Sequence, residues 1–184
     1  MRILVFGAGG MLGHKLIQIL SNGSEVWGTV RGDYDQIERF GFLDASRCLT
    51  KVDVFDESSI RESISASRPD VVINAVGVVK QLETSKDVIK TLTVNSIFPH
   101  RLAALSDEFG FRLICISTDC VFDGVKGSYT EDDIPNATDL YGKSKNLGEV
   151  TTGNSLTLRT SIIGRELGTG HSLIEWFLSN EGAS

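Results

Sequence analysis

A hydroxyl, a phenol and an ammonium group are spaced in this chain so that they could move a proton to or from a carbonyl oxygen. Thr118 lies in the run 117–119, and Tyr141 and Lys145 bracket the run Tyr-Gly-Lys-Ser-Lys. Residues four apart on a helix project from one face. At about 4 Å and an effective dielectric of about 20, an ammonium attracts a phenolate by about 4 kcal/mol. We therefore expect Lys145 to make the Tyr141 phenol more acidic and Thr118 to orient the reacting oxygen.

A glycine-rich run, Gly-Ala-Gly-Gly-Met-Leu-Gly, occupies residues 7–13 between a predicted strand and a predicted helix. Gly7 permits a tight turn, Gly10 lets the backbone approach a pyrophosphate, and Gly13 allows close helix–strand packing. The helix start adds unpaired N–H groups and a partial positive charge. The pattern alone is a weak signal, but its position between strand and helix favours a dinucleotide site. Together with the phenol and the ammonium, it predicts nicotinamide-dependent chemistry on a carbonyl or an alcohol.

The end of the second predicted strand bears on which nicotinamide cofactor is used. NAD sites usually place an acidic residue there, whereas this chain has Thr29-Val30-Arg31. A guanidinium suits a 2′-phosphate, so the sequence favours NADP(H) over NAD(H). The alternative is that Arg31 is only solvated and that the nearby Asp33 supports NAD(H).

Short β-branched runs alternate with amphipathic stretches, which favours an α/β fold: a Rossmann-like, doubly wound parallel sheet with flanking helices. Strands are predicted at 2–6, 25–30, 52–54, 71–75, 112–117 and 156–160, and helices at 11–21, 58–67, 85–109, 140–150 and 172–179. The stretch 119–139 is predicted to be a loop, and a loop of this length is usually functional. Because ligands bind beyond the carboxyl ends of parallel strands, Thr118 is well placed after the fifth strand.

Composition narrows the class of protein. A chain of 184 residues with 41% hydrophobic residues is most simply one domain over 1–184. A formal charge of −6 without a basic run argues against a nucleic-acid partner, and no apolar run is long enough for a membrane span. The three cysteines lack metal-ligand spacing, so we expect reduced thiols, no metal site and a cytoplasmic location. Because the first predicted strand begins one residue after Met1, we expect no signal peptide before it.

Four segments resemble the dTDP-4-dehydrorhamnose reductase-like branch of the extended short-chain dehydrogenase/reductase family. They are residues 7–13, 68–75, 117–124, and 141–145 with Gly148-Glu149. The resemblance covers nearly the whole chain, although Cys120 stands where an aromatic residue is common. It implies hydride transfer from NADPH to the keto carbon of a nucleotide-linked sugar, with Tyr141 donating the proton.

The resemblance also implies roles for individual residues. The catalytic set would be Thr118, Tyr141 and Lys145, and the sugar would be touched by Thr118 and Asp119. Residues implied to contact the cofactor are Gly7, Gly10, Met11, Leu12, Gly13, Arg31, Asp53, Val54, Gly77, Val78, Val79, Tyr141 and Lys145. Asn95 would support the central strands, and the strand end at 159–161 would lie near the nicotinamide.

Family members continue beyond the position of Ser184 into a substrate-binding portion, and residues 172–184 are similar to its beginning. We therefore expect most of that C-terminal portion to be missing, and cofactor binding to be spared more than turnover. The resemblance also implies a homodimer, because many relatives form a dimer interface from a pair of helices. Two other functions stay open: a nucleotide-sugar epimerase or dehydratase with bound NAD, and an NADP-sensing module without chemistry.

Overall fold

Parallel strands joined by helices make up the computed structural model, which describes residues 1–79, 86–168, 170 and 172–180. The strands are β1 (Arg2–Phe6), β2 (Glu25–Thr29), β3 (Cys48–Leu49), β4 (Val71–Asn74), β5 (Arg112–Thr118) and β6 (Ser155–Thr160). The α-helices are α1 (Met11–Leu20), α2 (Asp35–Glu38), α3 (Glu57–Ser67), α4 (Val88–Leu92), α5 (Phe98–Phe109), α6 (Leu140–Leu147) and α7 (Leu173–Ser179). The sheet order is β3-β2-β1-β4-β5-β6. The prediction of an α/β, Rossmann-like parallel sheet with flanking helices is confirmed.

The chain divides into two compact units. The first unit comprises Met1–Ala75 and Ile162–Ser184, and the second comprises Val76–Ser161.

The first unit is built around β1, which pairs in parallel with β2 on one side and β4 on the other. Ile3, Leu4, Val5 and Phe6 are all buried, because a central parallel strand is covered on both faces. Helices α1 and α3 contact this strand. The side chain of Asp56 caps α3 by accepting a hydrogen bond from the Ser58 amide. These contacts fix the carboxyl end of β1, from which the glycine turn starts.

The second unit pairs β5 with β6 in parallel, and α5 and α6 contact β5. Its fully buried apolar side chains include residues of α5 and β5, Phe111 between these two elements, and the turn after β5: Phe98, Leu102, Phe111, Leu113 and Val121. Gly110 ends α5 with a φ of 78°, the left-handed conformation that glycine adopts without strain. This core holds the last residues of β5 and the start of α6 in place.

The predicted third strand at 52–54 is wrong. The strand at this edge is β3, where Cys48 and Leu49 pair with Gly28 and Thr29. Pairing continues to the Val30 amide, which donates to the Leu49 carbonyl, and the chain then turns at Lys51 with a φ of 58°. The apolar alternation around Val52 therefore marks a buried turn rather than a strand.

The helix predicted at 85–109 is present from Val88 to Phe109, but it is not uniform. Between α4 and α5 the residues Thr93–Ile97 form a π-helical segment. Pro99 lies in the first turn of α5, where its missing N–H costs little. The predicted start at Ser85 lies outside the described residues. Helix α6 ends at Leu147 instead of at residue 150, because the chain leaves the helix at Gly148.

Within the residues described, no helix combines the length and apolarity that crossing a bilayer requires. Over the same residues, no group of three or more histidine, cysteine or acidic side chains is arranged to hold a metal ion.

Candidate active site

The glycine turn of the first unit is fixed by its own backbone and by Thr29. Gly7 has a φ of 86°, and its carbonyl accepts a hydrogen bond from the Gly10 amide at 3.0 Å. The Thr29 carbonyl accepts from the Ala8 amide at 2.9 Å, and the Thr29 hydroxyl accepts from the Gly7 amide at 3.3 Å. The end of β2 therefore holds the turn that follows β1.

Close packing explains the last glycine of the run. A Cβ on Gly13 would overlap the Gly7 carbonyl oxygen, while one on Gly10 would lie 3.3 Å from the same atom. No side chain caps the start of α1, whose N-cap residue is Gly10, among the described residues. The first amides of the helix thus point from an uncapped N-terminus, which fits a phosphate group. His14 is buried and is hydrogen-bonded through Nδ1 to the Gly10 carbonyl at 2.9 Å.

Arg31 and Asp33 follow β2, and Lys51 follows β3. Arg31 is exposed, and Asp33 forms an exposed ion pair with Lys51 at 3.5 Å. Sequence reasoning missed Lys51, because its approach to Asp33 depends on the left-handed turn after β3. Asp53 and Val54 lie in the turn before α3, where Asp53 Oδ1 accepts from the Phe55 amide at 3.0 Å.

In the second unit, Thr118 and Tyr141 are brought together at the carboxyl end of β5. Burial raises the pKa of Tyr141 above 10.0, and the nearby Thr118 hydroxyl acts in the opposite direction with a smaller effect. The Asp119 and Asp139 carboxylates push the pKa further up. The Thr118 hydroxyl also donates to Asp119 Oδ1 at 3.1 Å and accepts from the Cys120 amide at 3.2 Å.

Lys145 reaches the same strand, where Nζ donates to the Ile116 carbonyl at 2.6 Å. Burial lowers the pKa of Lys145, and the nearby Cys115 and Glu149 act in the opposite direction. The expectation that Lys145 makes the phenol more acidic is wrong for this structure, because desolvation of Tyr141 dominates. A raised pKa instead keeps the phenol protonated at neutral pH.

Helix α6 is anchored so that the side chains of Tyr141 and Lys145 face β5. A Cβ on Gly142 would overlap the Cys120 carbonyl, and one on Gly148 would overlap the Asn95 carbonyl. Buried Ser144 accepts from Asn95 Nδ2 at 3.1 Å, and Asn95 Oδ1 accepts from the Val78 amide at 2.8 Å. The π-helical segment thus supports both α6 and the segment after β4 that holds Gly77, Val78 and Val79.

A cavity of about 550 Å³ opens beside Thr118 in the second unit. The residues lining it are Asp119, Cys120, Phe122, Asp123, Gly124, Tyr129, Thr130, Glu131 and Arg159. The Phe122 and Tyr129 rings stack at 4.2 Å between centroids, and the Arg159 guanidinium lies 5.1 Å from the Phe122 centroid. Most of the lining comes from the predicted loop 119–139, which also contains a short 3₁₀ turn at Asp119–Val121.

The structure thus groups the predicted residues within each unit. Thr118, Asp119, Tyr141 and Lys145 gather at the end of β5. The glycines, Met11 and Leu12 gather at the start of α1. Contacts that the sequence did not reveal involve Thr29, Lys51, Ser144 and Glu149, and each depends on packing between elements that are distant along the chain. Of these, Ser144 and Glu149 lay inside a recognisable motif.

Comparison with known proteins gives a family match. A family model described as RmlD substrate binding domain matches residues 1–177. Spore coat polysaccharide biosynthesis protein SpsK of Bacillus subtilis (strain 168) is 32% identical over 166 residues, which cover 87% of this chain and 52% of SpsK. Methionine adenosyltransferase 2 subunit beta of Danio rerio is 35% identical over 151 residues, covering 80% of this chain and 42% of that protein. The chain spans about half the length of the curated relatives it matches.

Among solved structures, a hypothetical dTDP-4-dehydrorhamnose reductase from Sulfolobus tokodaii superposes with a TM-score of 0.76 at 34% identity. The match covers 91% of this chain and 58% of that one.

Proposed function

The chain belongs to the RmlD substrate-binding-domain family, and on that premise we propose that it is an NADPH-dependent reductase acting on the keto group of a nucleotide-linked sugar. The proposal is supported by the glycine turn in the first unit and by the Thr118, Tyr141 and Lys145 side chains in the second. It assigns the chain to one nicotinamide-binding domain, with residues 172–184 as the beginning of a substrate-binding portion.

The cofactor would be held first by the turn between β1 and α1. The uncapped amides at Met11 and Leu12 suit a pyrophosphate, and Gly13 lets the helix start lie against the turn. We assign the adenine to Asp53 and Val54, and the riboses to Gly77, Val78 and Val79. Arg31 and Lys51 would favour a 2′-phosphate, since the Asp33 carboxylate is engaged by Lys51. When bound, a nicotinamide supplies the hydride.

The proton would come from Tyr141. Its raised pKa keeps the hydroxyl protonated before reaction, and the Thr118 hydroxyl beside it can hydrogen-bond the same carbonyl oxygen. As negative charge develops on that oxygen, the Lys145 ammonium can stabilise the phenolate left behind. The same interaction would lower the pKa of Tyr141, against the larger upward effect of burial.

We place the sugar in the cavity beside Thr118. The Asp119, Asp123 and Glu131 carboxylates can accept hydrogen bonds from hydroxyl groups, and the stacked Phe122 and Tyr129 rings offer an apolar wall. These three acidic groups favour a neutral sugar over one that carries a carboxylate.

The proximity of the Thr118 hydroxyl and the Tyr141 phenol at the carboxyl end of β5, next to the cavity-lining Asp119, is the observation that carries the proposal. The test is a screen of nucleotide-sugar ketones for NADPH oxidation, with Tyr141→Phe and, as a control outside the cavity lining, Tyr34→Phe assayed in parallel. Stoichiometric NADPH consumption that disappears in Tyr141→Phe supports a reductase. Tightly bound NAD that is recycled without net consumption would indicate an epimerase or dehydratase instead.

A cofactor-binding subunit without its own reaction is a second candidate, because the chain is 35% identical to a protein named as a methionine adenosyltransferase 2 subunit. NADPH binding in the absence of any ketone reduction would favour this candidate.

We also propose a cytoplasmic homodimer. Ile89 before the π-helical segment, Ile97 at its end and Leu147 at the end of α6 are exposed apolar side chains, 79%, 45% and 60% accessible. Burial of such residues is a common basis for helix pairing between subunits. Sedimentation measurements on the purified chain and on Leu147→Glu would check it, a monomer in both contradicting the proposal.

A further inference from the structure

Glu149 joins three parts of the second unit that the proposed chemistry uses. Its Oε1 accepts from the Ser117 hydroxyl at 2.7 Å and from Arg159 Nε at 2.8 Å, and its Oε2 accepts from Arg159 Nη2 at 2.7 Å. The Glu149 side chain is 11% exposed and that of Arg159 is 24% exposed. We propose that Glu149 is a positioning residue, which sets the end of β5 and the wall of the cavity for the reaction; this inference rests on the proposed function.

The first link runs through Ser117, the residue before Thr118. Ser117 is buried, and its carbonyl also accepts from the Thr160 hydroxyl at 3.3 Å. Its side chain and backbone are therefore held from both sides. Because Thr118 shares that peptide unit, the placement of its hydroxyl against Tyr141 depends on how firmly Ser117 is held.

The second link runs through Arg159 into the cavity. A bidentate carboxylate–guanidinium pair fixes the plane of the guanidinium. That plane lies over Phe122, which stacks on Tyr129. Glu149 thus pairs with the charge of Arg159, a residue that lines the cavity, and holds this part of the cavity wall in a fixed arrangement.

The third link is electrostatic. Lys145 lies on α6 four residues before Glu149, and the groups that act on its charge are Cys115 of β5 and Glu149 itself. Its Nζ donates to the Ile116 carbonyl. The Glu149 carboxylate opposes the effect of burial and helps keep the ammonium protonated, which the proposed stabilisation of a phenolate requires.

The test compares Glu149→Gln, which removes the charge, with Glu149→Asp, which keeps the charge but shortens the side chain. Glu57→Gln is the matched control, because Glu57 forms an exposed ion pair with Arg61. Three quantities are measured on the full chain: kcat and KM for ketone reduction, the pH titration of Lys145 followed by NMR of labelled lysine side chains, and the Tm.

We expect Glu149→Gln to lower kcat by up to about 100-fold, since small misplacements of reacting groups have effects of that size. The KM for the ketone should rise less, and the Lys145 titration should move to lower pH. Glu149→Asp should leave that titration near its wild-type position while kcat falls to an intermediate value. Glu57→Gln should match the wild type in all three.

A drop in Tm alone, with kcat and the Lys145 titration unchanged in Glu149→Gln, would overturn the inference and leave Glu149 a structural residue. If Glu149→Gln does not fold, Glu149→Asp decides: wild-type kcat and KM in that variant also overturn it. If the wild type reduces no ketone, the proposed function fails, and the Lys145 titration still decides whether Glu149 acts on the lysine.

Discussion

The glycine turn of the first unit and the Tyr141 region of the second unit present different chemical groups: backbone amides in the turn, and titratable side chains around Tyr141. The turn presents backbone amides, and its glycines matter because a Cβ would not fit. The Tyr141 region presents side chains whose pKa values are moved by burial and by neighbouring charges. One region should therefore fail through steric overlap, and the other through loss of a titratable group.

The two regions also differ in exposure. Arg31, Asp33 and Lys51 near the turn are open to solvent, where salt screens charges and single ion pairs contribute little. Thr118 and Ser144 near Tyr141 are buried. Substitutions in the buried region should therefore change rates strongly, and charge substitutions near the turn should change selectivity more than stability.

The largest effect should come from Tyr141→Phe. Removing the proton donor should lower the rate of ketone reduction by about 100- to 10,000-fold, the usual contribution of general acid catalysis. NADPH affinity should stay within about threefold of the wild type, because the hydroxyl acts in the transition state and adds little to cofactor binding. Steady-state kinetics and fluorescence titration measure the two quantities, and an equal loss of both would contradict the division between regions.

Next in size should be Gly13→Ala. The new Cβ overlaps the Gly7 carbonyl, and overpacking of this kind costs about 1–3 kcal/mol of folding free energy. We expect a lower Tm and NADPH binding weaker by about tenfold or more. Gly23→Ala is the matched control, since nothing lies within 4 Å of its Cβ position; similar losses in both variants would remove the steric argument.

A smaller effect is expected for Arg31→Ala. Losing one charge–phosphate contact should reduce the preference for NADPH over NADH by about tenfold, the equivalent of about 1.4 kcal/mol. Lys51→Ala tests whether the second cation contributes. Dissociation constants for both cofactors are required, and an unchanged ratio in both variants would leave the NADP(H) preference without support.

The smallest effect concerns pH. Lys145 titrates below 10.5 in the folded protein and near 10.5 when unfolded. Between those two pH values the unfolded chain binds more protons, so the free energy of unfolding rises with pH. The wild type should gain stability relative to Lys145→Met across that interval, by a few degrees in Tm at most. Thermal unfolding at several pH values measures this difference. A wild type whose Tm falls relative to that of Lys145→Met as pH rises would contradict the prediction.

Sequence periodicity and motif position were sufficient for the main elements and for the residues gathered at each site. The run 7–13 could be placed because its glycines sit between an apolar strand and an amphipathic helix. Tyr141 and Lys145 could be placed on one face because helical spacing is regular. Both patterns involve residues that are close together in the sequence, so they can be recognised without the tertiary structure.

What could not be predicted depends on contacts between distant residues. The third strand was misplaced because β3 is defined by pairing with Gly28 and Thr29, and Val52 gave a stronger apolar signal than Cys48. The direction of the Tyr141 pKa was wrong because the cost of burying a charged phenol depends on packing. Helical spacing predicts how close two charged groups lie, and therefore their attraction, but it does not predict the cost of removing them from water.

The π-helical segment Thr93–Ile97 has a consequence for insertions and deletions. A π-helical turn holds one residue more than an α-helical turn, so removing one residue there would let the helix continue as an ordinary α-helix. Phe98 and Leu102 would then stay close to their buried positions, and the main loss would be the placement of Asn95 against Val78. A one-residue deletion within α5, where each residue turns the helix by about 100°, should therefore be more damaging than one within the π-helical segment.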